Sequence, residues 1–143
     1  MKSNTLEDFK INVRIKLAAL WTSVTFCYIY GDYFELYIPK KVEGLLNGNS
    51  MLDNPNKLFI AAFLLLIPSI MICLSILLKP FINRILNISF GLFFTLFVGL
   101  VGISSFSEWR TFYVFYAGVE IVLTLMIVWF AWHWERVEKG ENQ

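Results

Sequence analysis

"LFIAAFLLLIPSIMICLSILL", residues Leu58 to Leu78, contains no charged side chain. A helix needs about 20 consecutive apolar residues to cross a hydrocarbon core about 30 Å thick, and this run is long enough. Ile85 to Phe106 is also free of charge, and Thr111 to Trp134 carries Glu120 as its one charged residue, with His133 near its end. A soluble core has no use for three such runs in a chain of 143 residues. The hydrophobic fraction, 57%, exceeds the roughly 45–50% of soluble domains. A fourth run, Leu17 to Gly31, reaches spanning length only if it continues past Asp32. Irregular backbone cannot face lipid, so apolar runs without strand alternation predict helices. The expected fold is an all-α membrane protein, an up-down bundle of four transmembrane helices. It forms a single domain over 1–143, with spans near 15–37, 58–78, 85–106 and 111–134 and a long outer loop at 38–57.

Lysine and arginine in short flanking loops orient such a bundle. Lys2, Lys10, Arg14, Lys16, Lys79, Arg84, Arg136 and Lys139 fall on one side, and Lys40, Lys41, Lys57 and Arg110 on the other. Eight against four predicts cytoplasmic termini. Trp129, Trp132 and Trp134 at one end of the last span, and Trp109 at the other, suit interfacial belts. The first run is not a cleavable signal, because sixteen mixed-charge residues precede it and no A-x-A-like site follows. "TLED", with Thr5 and Asp8, resembles a capping box for a surface helix carrying Leu6, Phe9 and Val13. The long loop predicts turns around a short helix near Val42 to Leu46. The tight connections "KPFINRILN" and "SEWR" predict that the last three spans pack as sequential neighbours.

Gly91, Thr95, Gly99 and Gly102 share one helical stripe, the small-residue pattern through which membrane helices associate. A tight contact is expected at Gly91, Gly99 and Gly102, inside the chain or between copies of it. Pro68 lies mid-span, where it removes a backbone hydrogen bond, frees the Leu64 carbonyl and predicts a kink.

The acids are the chemically informative residues. From 1.5 Å of rise per residue, Glu120 lies roughly 12 Å inside the outer boundary and Asp32 just inside it, with Glu35 one turn further out. Tyr28 comes level with Glu120. First and last helices of a closed bundle adjoin, so Tyr28, Asp32, Glu35 and Glu120 are expected to converge on one outward-opening cavity. A carboxylate inside hydrocarbon costs several kcal/mol unless paired, protonated or wet. Glu120 is therefore expected to be protonated or hydrogen-bonded to Tyr28, Thr25 or water. Its structural alternative is a protonated packing partner; for Asp32 it is a helix-end cap or a partner for Arg110.

At the inner side Asn83, Arg84 and Asn87 form a polar cluster in the tight loop, at the depth of His133. Arg84 is expected to meet anionic lipid or cap the carbonyl end of the second span. Cys27 and Cys73 lie in separate spans and read as small hydrophobes. One histidine, no CxxC pair and no hydrolase, Walker or dinucleotide motif leave no metal site, cofactor or catalytic residue to propose. With a net charge of +1, nucleic acid is not an expected partner.

Three stretches, "LWTSVTFCYIYGDYF", "NRILNI" and "EIVLTLMIVWFAWHW", resemble a bacterial family of uncharacterised four-span membrane proteins. The resemblance marks Tyr30, Asp32, Asn83, Arg84, Asn87 and Glu120, and implies a four-helix membrane fold with no established activity; the expected location is the cytoplasmic (inner) membrane of a bacterium. In topology alone the chain is also similar to DoxX-like proteins. The leading expectation is an oligomeric channel or transporter for protons, cations or a small solute, working through its intramembrane carboxylates. A non-catalytic membrane partner or lipid-binding module is the alternative, and a membrane-embedded enzyme acting on a lipid-soluble substrate comes third. The bilayer and further copies of the chain are the expected partners.

Overall fold

The computed structural model describes residues 10–49 and 51–135. The "TLED" segment, Lys2, Arg136 and Lys139 lie outside these. Among the described residues the chain is helical without strands: α1 Val13–Glu35, α2 Lys41–Leu46, α3 Pro55–Leu77, α4 Pro80–Ser104, a 3-10 turn Glu108–Arg110 and α5 Thr111–Trp132. Local chemistry sets the boundaries. Asn12 caps α1, its side chain accepting from the Arg14 amide at 2.9 Å. Asn54 caps α3 in the same way through the Lys57 amide at 3.0 Å, with Pro55 as the first helical residue. Lys79 is extended (φ −61°, ψ 145°) because Pro80 excludes the helical conformation from the residue before it. That leaves Leu78 and Lys79 as the whole turn between α3 and α4. Gly48, at φ 74°, follows the end of α2 in the left-handed region that glycine enters without strain.

Three helical segments are long and apolar enough to cross a membrane: α3, α4 and Glu108–Trp132. Their outward faces are bare hydrocarbon, with Phe59 71%, Leu96 70%, Ile103 72% and Phe115 69% exposed. A water-soluble monomer does not carry apolar surface on that scale; this is a membrane protein. α1 has a comparable length but carries Arg14, Lys16, Asp32 and Glu35 and is less apolar.

The helices are ordered α3, α1, α5, α4. α1 packs along both α3 and α5, and α4 packs along α5. The expectation of sequential neighbours therefore holds for α4 with α5 and fails for α3 with α4, which meet mainly beside their turn. The reason lies on α3: its buried residues are Pro68, Met71 and Ser75, whereas Pro55 to Ile60 are exposed throughout. Before Pro68 only Leu64 and Ile67 reach the core, and the fully buried positions of α3 all lie from Pro68 onward. Leu17, Trp21 and Val24 of α1, Met71, Phe94 of α4, and Ile127 and Ala131 of α5 form the core.

The glycine stripe is divided. A Cβ on Gly91 would lie 2.7 Å from Val128 Cγ2, and one on Gly102 would lie 3.2 Å from Ala117 Cβ, so both glycines admit α5 closely. Gly99 meets nothing within 4 Å among the described residues, and the tight contact expected there is absent within the chain. Its side of α4 rotates away from α5 because the buried register runs Gly91, Phe94, Val98, Gly102.

Candidate functional site

Toward the α2 end of the bundle, α1, α4 and α5 enclose a cavity of about 30 Å³, room for roughly one or two water-sized groups. Glu120 and Tyr116 of α5, and Tyr28 and Cys27 of α1, line it. Gly31, Phe97, Val98, Val101, Tyr113 and Ala117 complete the wall. Glu120 is 5% exposed, and its carboxylate has no hydrogen-bond or ion-pair partner among the described residues. The Tyr28 hydroxyl is the one fully sealed side-chain polar atom without a partner among those residues. Neither carboxylate oxygen of Glu120 is sealed in that way, so the acid borders the open space. Unmade hydrogen bonds are costly when buried, and the sealed Tyr28 hydroxyl and the unpartnered Glu120 carboxylate stand on the same cavity wall.

The expected hydrogen bond from Tyr28 or Thr25 to Glu120 is not formed. Thr25 instead donates to the Trp21 carbonyl one turn back, at 2.8 Å, the usual local alternative for a helical threonine. The wider convergence of acids divides into two places. Glu35 closes the α2 end of the bundle, accepting from Lys41 Nζ at 2.6 Å and Arg110 at 3.2 Å. Arg110 thus pairs with Glu35 rather than Asp32, and ties the end of α1 to the start of α5. Asp32 is exposed and is not part of the cavity wall. Tyr30, on the same turn, is 49% exposed.

At the opposite end Asn83 and Asn87, expected in a loop, belong to the first turns of α4 and are fully buried. Asn87 Oδ1 accepts from Trp21 Nε1 at 2.7 Å and from Ser75 Oγ at 3.3 Å, while its Nδ2 donates to Asn83 Oδ1 at 2.6 Å. Asn83 Nδ2 in turn donates to the Ser75 carbonyl at 2.6 Å. This knot fastens α1, α3 and α4. Arg84 stands apart from it, donating to the Trp132 carbonyl at 3.0 Å at the end of α5. The capping of α3 expected from Arg84 is performed by Arg14, which donates to the Ile76 carbonyl at 3.2 Å. Both pairings place a cation on the negative end of a helix dipole. His133 Nδ1 lies 3.0 Å from the Trp129 carbonyl and its ring packs on Trp129.

Tyr113 and Tyr116 are polar cavity residues that sequence reasoning did not single out, and Cys27 was read there only as a small hydrophobe. Tyr113, Tyr116 and Glu120 recur at three- and four-residue spacing, a helical-face signal that a tyrosine-rich boundary obscures. A second, open groove of about 430 Å³ runs along the same end, walled by Phe34, Tyr37, Ile38, Trp109, Phe112, Phe115 and Tyr116. Tyr116 belongs to both walls.

No curated protein and no solved structure matches the chain. The profile of a family of unknown function (DUF6326) matches residues 5–140, a stretch that takes in every helix and the whole cavity; the chain belongs to that family.

Proposed function

We propose that the chain is a small transport protein whose working group is Glu120, taking up and releasing a proton or small cation in the cavity between α1, α4 and α5. The observation that carries this reading is a carboxylate 5% exposed, bordering a cavity, with no partner among the described residues. An acid kept only for packing would have its oxygens hydrogen-bonded. Beyond Glu120 the bundle offers the Thr95–Thr124 hydroxyl pair at 2.8 Å and then Phe94 and Ile127. Phe94 and Ile127 are fully buried there, and that packing favours a gated carrier over an open pore.

In this reading α1 is the fourth span. Its 23 residues extend roughly 35 Å, and it packs between two helices that are themselves long and apolar enough to cross. The excess of inner lysine and arginine supports cytoplasmic termini in a bacterial inner membrane. Assembly into homo-oligomers would complete a path that one chain leaves closed.

The test is flux in proteoliposomes carrying a pH-sensitive dye, with Glu120→Gln incorporated to the same density. Wild-type flux, lost in the variant, is the expected result; flux no greater than in empty liposomes would remove the transport reading. The alternative, a lipid-binding module, draws on the open aromatic groove and predicts a co-purifying lipid without flux.

A further inference from the structure

The cavity and the groove meet at Tyr116, which lines both. Tyr116 is one turn from Glu120 on α5, and Phe112 lies one turn beyond Tyr116. The eight steps from Glu120 to Phe112 span roughly 12 Å along the helix. A ligand following that line would have its polar end beside an unpartnered carboxylate and its body among aromatic side chains.

The chemistry of the two ends narrows the ligand class. Glu120 is the only carboxylate in the cavity wall, too few charged oxygens for a divalent cation, which prefers six or more oxygen ligands. An alkali ion would likewise lack acceptors, since the remaining polar wall groups are phenols and a thiol. A single carboxylate with Tyr28, Tyr113 and Tyr116 around it suits an ammonium head, which donates a charge-assisted hydrogen bond to the carboxylate and is attracted by aromatic rings on other sides. The volume of about 30 Å³ admits such a head and excludes a phosphate-bearing one. The groove, about 430 Å³, falls in the range of roughly 300–1,000 Å³ for pockets that hold small organic molecules.

We propose that the cavity and the groove on the other side of Tyr116 together bind a single-chain organic ammonium ion, its head against Glu120 and its apolar body passing Tyr116 into the groove walled by Phe112 and Phe115. The inference rests on Glu120 being the working group, as in the transport reading, and adds the class of cation.

Saturable binding to the full chain in lipid nanodiscs, after subtraction of empty nanodiscs, tests it by calorimetry. The probes are octylammonium, the neutral octanol, the anionic octyl sulfate and ammonium chloride. Octylammonium is expected to bind at least tenfold more tightly than the other three, with Glu120→Gln erasing that preference and Phe115→Ala weakening octylammonium severalfold. Equal binding of octanol would overturn the proposal, since the groove would then take any alkyl chain. So would octylammonium binding that Glu120→Gln leaves unchanged, or ammonium chloride binding as tightly as octylammonium. The preference for charge is read in the wild-type chain, so the test survives a Glu120→Gln protein that fails to fold. Binding without proteoliposome flux would leave this site standing and remove the transport reading. Flux that depends on Glu120, with no octylammonium binding, would do the reverse.

Discussion

At Asn87 one amide holds three helices, accepting from Trp21 on α1 and Ser75 on α3 and donating to Asn83 on its own helix. All four side chains are fully buried, so removing one partner leaves others unpaired rather than returned to water. Asn87→Leu is expected to cost about 2 kcal/mol, mostly from the stranded Trp21 N–H. Unfolding in mixed micelles measures it. Trp21→Phe made on the Asn87→Leu background should cost less than the same change in wild type, because the donor has already lost its acceptor; strict additivity would show that the 2.7 Å contact contributes nothing. Tyr28 presents the converse case. Its hydroxyl is sealed without a partner, so Tyr28→Phe is expected to leave the melting temperature unchanged or raise it slightly, the desolvated group being removed. A drop equivalent to about 1 kcal/mol would mean that the hydroxyl is bonded to a cavity guest in the bilayer.

For the elements, the informative comparison is between glycines on one helix. Gly91 admits Val128 so closely that a Cβ would sit 2.7 Å from its methyl, whereas Gly99 has open space beside it. Gly91→Leu is expected to destabilise the α4–α5 pair by about 3 kcal/mol, the upper range of overpacking. Gly99→Leu should leave the isolated chain within about 0.5 kcal/mol of wild type. Melting temperature in a fixed detergent ranks the two, and equal losses would contradict the helix register given above. Elution volume supplies a second readout: a smaller particle for Gly99→Leu, with its melting temperature retained, would place Gly99 between subunits. The α1 terminus is fastened differently, by Glu35 between Lys41 and Arg110. These side chains are 22–34% exposed, so the pairs position the rim more than they stabilise it.

For the whole molecule, the proposed orientation has a direct check. A reporter active only outside the cytoplasm, fused after Gln143, is expected to be silent, and the same reporter inserted in the loop near Gly48 active. The reverse pattern would turn the Glu120 cavity to the cytoplasmic side while leaving its geometry intact. Since α3 and α4 meet mainly beside their turn, the proposed homo-oligomer is tested by native mass spectrometry of the micelle-bound protein: more than one copy is expected, and a single-copy mass would remove it.

Membrane residence, helical class and the unusual standing of Glu120 were determined by the sequence alone. They depend on properties that are local to the chain: uninterrupted apolar length, backbone that must bond within itself, and the cost of an acid in hydrocarbon. Helix neighbours, and the partner of each polar group, were decided only in the tertiary structure. Lipid exerts no hydrophobic drive to turn one apolar face inward, so α3, α4 and α5 carry little record of which side they bury. That is why α3 and α4 part beyond their turn against the sequential expectation while α1 and α5 adjoin as expected, why Gly91 and Gly102 became contacts while Gly99 did not, and why Arg110 met Glu35 and left Asp32 exposed. The Asn87 knot joins residues 12 and 66 positions apart, a pairing set by helix register and depth rather than by any local pattern.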